Sequence, residues 1–211
     1  MGRIVAQTLG KFVLVMGLAT MASAQWYLHD GKTLEGVDFA KYKGGFGAQL
    51  WLTNDLEGFI ESWARPKDPV QMKVSNRAER GKPIDAVVLF SNCKAGPDGF
   101  CDATVDFRVL RPDGSTYGRF ENTELWLKKP PPVKDAIQPG IQTLGVKIEP
   151  EDPDGEYRVE ATVRDNVRGV THHLVQSFWV GTQPGPRTGA SSPRPLYLTE
   201  CLLIGPKENA A

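Results

Sequence analysis

Histidines are the residues of this chain best suited to acid–base chemistry, and there are three of them: His29, His172 and His173. Catalysis by a nucleophile needs a base within hydrogen-bond reach and a third group that orients the base. His172 and His173 are adjacent on a predicted strand, so their side chains point to opposite faces and cannot serve one site. The sequence also lacks a Gly-x-Ser-x-Gly nucleophile motif. We therefore predict that the chain is not an enzyme.

Carboxylates crowd one predicted turn, where they could bind a hard cation. These residues are Glu149, Glu151, Asp152, Asp154 and Glu156. Clustered carboxylate oxygens are the ligands that Ca²⁺ selects, although no EF-hand pattern is present and an acidic turn between strands can also be simply solvated. Zinc is not predicted, because neither the histidine pair nor the cysteines have the short, same-face spacing that it needs. Calcium is thus the only cofactor for which the sequence offers ligands.

Tryptophans could form a contact surface for a ligand. Trp126 and Trp179 are the candidates, and the alternative for each is a place in the hydrophobic core. Trp126 lies between Leu125 and Leu127, so regular alternation directs it away from both leucines. It is then exposed if the leucines face inward, or else buried at an edge.

Cysteine spacing favours one disulfide. Cys93 and Cys101 enclose a loop with Pro-Asp-Gly in its middle, which brings the two ends together, and we predict that they are bridged. Cys201 is left over. It is either a buried small hydrophobic residue or the site of an intermolecular disulfide.

The N-terminus has the three parts of a secretory signal peptide, residues 1–24. Arg3 and Lys11 are positively charged, an apolar stretch too short to span a bilayer follows, and Ala22-Ser23-Ala24 is a small-residue cleavage site. No later stretch is long and apolar enough to predict a membrane span. We therefore predict a periplasmic or secreted protein.

Composition argues against a polyanionic partner. The formal net charge is zero and no run of Lys or Arg occurs, so neither a nucleic acid nor an anionic membrane is predicted as a partner. The 22 glycines and 16 prolines show no repeat period, as is typical of a turn-rich β protein.

Strand signals dominate the middle of the chain. Pro-Asp-Gly occurs at 97–99, 112–114 and 153–155, and each copy predicts a tight turn between strands. Apolar and polar residues alternate at 105–109 and 159–163, while 86–90 is continuously apolar like a central strand. Further strands are predicted at 47–53, 58–64, 124–127, 143–148 and 172–180. This pattern predicts an all-β fold, an immunoglobulin-like antiparallel β-sandwich over residues 47–180.

Both ends of the chain differ from this middle. Residues 25–46 form an N-terminal arm of uncertain structure, and 181–195 have the Gly, Pro, Ser and Thr composition of a flexible linker. The remaining segment, 196–211, begins with the apolar run 196–204, which we expect to dock as an extra strand on an exposed sheet edge of this chain or a neighbouring one. Oligomers could form through this run or through Cys201.

Several strings of the strand region resemble a set of secreted bacterial proteins that have an immunoglobulin-like domain and no known activity. They are residues 80–84, the 93–101 cysteine loop, and residues 106–114 and 149–157. Residues 155–165 are also similar to the Gly-x-Tyr-x-Val strand of bacterial immunoglobulin-like adhesion and macroglobulin-type modules. The resemblance implies fold and compartment only.

These observations favour a non-catalytic periplasmic or secreted module that binds or assembles with a protein partner in the cell envelope. The alternative is a carbohydrate-binding or hydrolytic domain that acts on a cell-envelope polysaccharide.

Overall fold

A computed structural model describes residues 37–64 and 72–182 of the 211-residue chain. The predicted signal peptide, the arm as far as residue 36, Cys201 and the tail from residue 183 lie outside the described residues. The elements are β1 (Ala40–Lys43), β2 (Phe46–Thr53), α1 (Leu56–Trp63), β3 (Arg77–Ala78), β4 (Pro83–Ser91), β5 (Cys101–Leu110), β6 (Thr116–Lys129), β7 (Ile137–Pro139), β8 (Leu144–Lys147), β9 (Gly155–Asp165) and β10 (Val170–Val180).

The strands form two sheets that pack face to face. The first sheet has the order β1-β2-β4-β7, with β8 also paired to β4, and the second has the order β3-β10-β9-β5-β6. All described strand pairs are antiparallel except the short parallel pair β3–β10. The prediction of an all-β, immunoglobulin-like sandwich is therefore confirmed.

Alternating side chains of both sheets fill the space between them. On β9 the inward residues Tyr157, Val159, Ala161 and Val163 are buried, while their neighbours are more exposed. The first sheet contributes every second residue of β2 and β4, including Phe46 and Phe90. This burial on one face explains why the period-two pattern predicted β5 and β9 correctly.

A second hydrophobic core lies on the outer side of the first sheet. Trp51, Val87 and Leu89 point away from the main core and are covered by Phe59 of α1 and by Met72. Residues 58–64, which we predicted as a strand, are helical as far as Trp63 and end in the helix cap Ala64, so that prediction is wrong. The helix begins after Asp55, whose carboxylate accepts a hydrogen bond from the amide of Gly58.

The sandwich also begins earlier than predicted. β1 and the first residue of β2 lie inside the segment 25–46 that we assigned to an arm, and Ala40 pairs with Gln49. The chain reaches the second sheet here, because the carbonyl of Asp38 accepts a hydrogen bond from the amide of Val175. Residues 38–43 therefore join the two sheets along one side.

The three Pro-Asp-Gly turns connect strands as predicted. Gly99, Gly114 and Gly155 all have positive φ, which glycine adopts without strain. The turn at 112–114 closes the β5–β6 hairpin, with the amide of Gly114 bonded to the carbonyl of Arg111. After the third turn the hydroxyl of Tyr157 donates a 2.9 Å hydrogen bond back to the carbonyl of Pro153, the tyrosine corner of immunoglobulin-like sandwiches.

Candidate functional site

The predicted disulfide is present at one end of the sandwich. Cys93 and Cys101 are bonded, with Cα atoms 6.0 Å apart, and both are buried. The bridge joins the end of β4 to the start of β5. Because it closes a loop between consecutive strands, the disulfide stabilises one end of the sandwich and does not cross the core between the sheets.

Arg168 ties three loops together beside this disulfide. Its guanidinium donates to the carbonyls of Gly44 and Asn92 at 2.8 and 3.0 Å and contacts the carboxylate of Asp165. Asp165 also accepts hydrogen bonds from the backbone amides of Lys94 and Arg168, both at 2.9 Å. The β6–β7 connection is held beside these loops by hydrogen bonds between Asn92 and Asp135. We call this end of the sandwich, where the β1–β2, β4–β5, β6–β7 and β9–β10 connections lie together, the loop end.

The structure separates the two neighbouring histidines as predicted. His172 is buried, stacks on Phe46 and contacts its carbonyl at 3.0 Å. Burial lowers the pKa of His172 below its ordinary value. His173 is exposed on the opposite face, where its ring contacts the hydroxyl of Thr162. Neither histidine has a nucleophile and an orienting carboxylate beside it among these contacts.

The acidic turn is occupied by contacts within the protein. Asp152 accepts hydrogen bonds from the hydroxyl of Tyr117 and the amide of Glu149, and the first of these is the main cause of its lowered pKa. Burial and the carboxylate of Asp152 raise the pKa of Tyr117 to about 12. Asp154 pairs with Arg80 at 2.5 Å.

Glu149 of this turn pairs with Lys147 at 3.2 Å, while Glu151 is exposed. Among the described residues no group of three or more His, Cys, Asp or Glu side chains could hold a metal ion. Calcium binding by Glu149, Glu151, Asp152 and Asp154 stays a prediction.

Trp126 does not follow the alternation that we assumed. Leu125 is completely buried, and yet Trp126 packs on the same core, with its ring centroid 5.6 Å from that of Phe90. The cause is a β-bulge: Ala103 pairs with Trp126 and its neighbour Thr104 with Glu124, so Leu125 is an extra residue on β6. The argument that Trp126 points away from Leu125 is therefore wrong, and Trp126 is half-buried at the sheet edge.

Trp179 lies on the outer surface of the second sheet. Its neighbours Phe178 and Val180 point into the core, so its own half-buried side chain lies on the other face, between Glu156 of β9 and Arg77 of β3. We call this surface the arginine face. On β5, β6, β9 and β10 it includes Asp106, Arg108, Arg119, Arg158, Glu160, Thr162, Arg164, His173, Val175 and Ser177.

Charges on the arginine face are arranged in pairs, across strands for Arg108–Glu160 and Arg164–Asp106 and within β9 for Arg158–Glu160. Glu160 lies between Arg108 and Arg158, with nitrogen to oxygen distances of 3.5 and 3.4 Å. Asp106 accepts a 2.6 Å hydrogen bond from Arg164, which is the main cause of the lowered pKa of this carboxyl group. Cross-strand pairs of this kind hold the arginine side chains in defined positions.

The sequence held a signal for this face that we did not use. Arg108, Arg158, Glu160 and Arg164 occupy the polar positions of the two strands with the clearest alternation. Alternation places the polar residues of β5 on one side of that strand, and likewise those of β9. Only the pairing register shows that Arg108 lies opposite Glu160. The sequence could therefore have predicted that this face is charged, but not which arginine and carboxylate form an ion pair.

Comparisons with known proteins give no family. No protein family and no curated protein matches the chain. A family 123 glycoside hydrolase from Clostridium perfringens is similar in structure at 12% identity and a TM-score of 0.39, over 67% of this chain and only 28% of the hydrolase.

Two smaller solved structures are similar over most of their length. A CARDB domain from Pyrococcus furiosus, solved with di-metal ions, has 13% identity and a TM-score of 0.33 over 69% of this chain and 97% of that domain. A Niemann-Pick type C2 protein from the Japanese carpenter ant has 12% identity and a TM-score of 0.36 over 69% and 96%. Likenesses this weak say nothing about activity.

No helix among the described residues is long and apolar enough to cross a membrane.

Proposed function

We propose that the protein is a non-catalytic binding or assembly module of the cell envelope and that it holds a protein partner on the arginine face. The composition of this face supports the proposal: its basic residues are arginines, and Trp179 is its aromatic residue. Arginine and tryptophan are enriched at the energetic centres of protein interfaces, whereas lysine is depleted there. The carboxylates of Glu160 and Asp106 offset part of the arginine charge within the face, and such internal pairing suits a protein surface better than a polyanion.

The rest of the sandwich supports the same choice of face. The outer side of the first sheet is covered by α1 and Met72, and its tryptophan, Trp51, is buried. On the second sheet, His173, Arg108 and Arg158 are exposed. We place the module in the periplasm or outside the cell, since a buried disulfide between Cys93 and Cys101 is typical of an oxidising compartment.

Affinity capture with paired variants tests this proposal. The exported full-length chain is used to capture a protein from envelope extract, and the affinity is then measured with that purified partner. Arg108→Ala with Arg158→Ala should weaken binding by at least about tenfold, because truncated hot-spot arginines cost that much or more.

The matched control is Lys82→Ala with Lys147→Ala, two lysines at the β4–β8 pair of the first sheet that lie outside the arginine face, which should leave the affinity unchanged. If the arginine variant binds as tightly as the unaltered chain, the partner does not use this face.

The polysaccharide alternative has one observation in its favour, the half-buried Trp179 beside Glu156, Arg77 and Ser177. It predicts that cell-envelope oligosaccharides raise the melting temperature and that Trp179→Ala removes the shift.

A further inference from the structure

Two adjacent loops at the loop end carry apolar side chains at their tips. Phe100 of the β4–β5 loop is 41% exposed and Val133 of the β6–β7 loop is 80% exposed. Cys101 pairs with Lys129, so Phe100 and Pro130 leave the same end of the β5–β6 pair. Pro130 and Pro131 are exposed as well. The tips thus form an apolar projection with no cover among the described residues.

Lysines surround these apolar tips. Lys94 and Lys134 are exposed on the same two loops, Lys128 is exposed near the end of β6, and Lys43 is exposed at the end of β1. None of these four forms an ion pair with a described residue, unlike Lys129, which pairs with Glu124. We call the four lysines together with Phe100, Pro130, Pro131 and Val133 the tip patch.

The carboxylates of the same loops offset only part of this charge. Asp165 is buried against Arg168, which offsets its charge, whereas Asp135 is half-buried and keeps its charge, because its partner Asn92 is neutral. Asp98 and Asp102 remain exposed. The exposed surface around the tips therefore carries more positive than negative charge.

The loops that carry the tip patch are held in place before any partner binds. The disulfide closes the β4–β5 loop, Arg168 joins the β1–β2 turn to Asn92, and the indole of Trp126 donates to the carbonyl of Pro130 at 2.9 Å. A pre-ordered loop loses little conformational entropy on binding.

We propose that the tip patch docks on a bilayer that contains anionic phospholipids. Apolar tips flanked by lysines suit this partner, because the side chains of Phe100 and Val133 can enter the boundary between headgroups and acyl chains while lysine ammonium groups remain at the anionic headgroups. A protein partner is less well matched, since lysine is depleted at the centres of protein interfaces. The patch is separate from the arginine face, so this inference goes beyond the proposed function.

Sequence reasoning excluded an anionic membrane because no run of basic residues occurs. The four lysines come from three separate parts of the chain, and only the fold brings them together. The absence of a run of Lys or Arg in the sequence therefore does not exclude such a patch.

Vesicle sedimentation tests the inference. The full-length chain is mixed with vesicles of phosphatidylglycerol and phosphatidylcholine, or of phosphatidylcholine alone. We expect binding to the anionic vesicles only, weakened by added salt. The variant Lys43→Gln/Lys94→Gln/Lys134→Gln should bind about a hundredfold more weakly, at about fivefold per lysine near an anionic surface. Lys128 is left unchanged, because its positive φ makes substitution harder to interpret.

Lys73→Gln/Lys82→Gln/Lys147→Gln is the matched control, with three lysines near the opposite end of the strands. It should bind the anionic vesicles as tightly as the unaltered chain does. Any contribution of residues 1–36 and 183–211 to vesicle binding is the same in all of these proteins, because they share these residues. Phe100→Ser/Val133→Ser should weaken binding and keep the salt dependence.

Equal binding to both kinds of vesicle, equal loss in both lysine variants, or no binding at all would overturn the proposal. Binding to soluble polyphosphate as tight as to anionic vesicles, with no effect of Phe100→Ser/Val133→Ser, would point to a soluble polyanion and would also overturn it.

Discussion

Asp165 is a buried carboxylate on which the loop end depends. Its side chain is 0% exposed and receives two backbone amides and the guanidinium of Arg168. Without this carboxylate, the guanidinium of Arg168 and the two backbone amides would have no acceptor in the protein interior. Asp165→Ala should therefore lower the free energy of unfolding by about 3 kcal/mol. Urea denaturation measures this loss. Glu151→Ala, an exposed carboxylate at the other end, is the control and should change stability by less than about 0.5 kcal/mol.

His172 should make stability depend on pH. Burial lowers its pKa most, nearby Lys43, His173 and Lys41 lower it further, and the Phe46 carbonyl opposes them. The unfolded chain, with a histidine pKa near about 6.5, therefore binds a proton that the folded chain does not. Stability is complete above that pKa and falls as the pH drops below it.

The measurement compares urea denaturation at about pH 7.5 and about pH 5.5, a window above the ordinary pKa of carboxyl groups. The chain should lose stability between the two, and His172→Gln should reduce that loss. A loss of equal size in the variant would show that another group is responsible.

Among the elements, β9 begins with a feature that the resemblance and the structure share. The Gly155-x-Tyr157 sequence places the hydroxyl of Tyr157 on the carbonyl of Pro153, which fixes the connection from the first sheet to the second. Tyr157→Phe should lower the free energy of unfolding by about 1 kcal/mol, because the buried tyrosine loses its hydrogen bond to the carbonyl of Pro153. Tyr42→Phe, at a half-exposed position on β1, should be nearly neutral by comparison in thermal denaturation.

Elements differ in how well the sequence predicts them, and the reason is local regularity. β5 and β9 alternate cleanly, and their inward and outward sides follow from the sequence. β6 has 14 residues opposite the ten of β5, and its bulges break the alternation at Trp126. The helix α1 has only eight residues, too few for a sustained apolar stripe to show in the sequence.

Surfaces are harder to predict than strands, because they combine residues that are distant in the sequence. The disulfide was predictable, since both cysteines close one short loop. The position of Glu160 between Arg108 and Arg158 depends on the register of β5 against β9, and the tip patch depends on three loops meeting. The periodicity of one segment indicates neither how two strands are registered nor which loops meet.

The whole molecule presents two surfaces of different composition. The arginine face lies on one sheet, and the tip patch lies at one end of the strands, so a protein bound to the face leaves the loop tips free. A module with both surfaces could hold a protein partner at a membrane.

Photocrosslinking in cells tests the central claim, that the arginine face binds a protein partner. A photoreactive amino acid replaces His173, which is exposed on this face, or Glu57, which is exposed on α1 over the other sheet. We expect irradiation to give one defined protein adduct from position 173, lost when Arg108→Ala and Arg158→Ala are added, and none from position 57. An adduct from position 57 with none from position 173 would contradict the account.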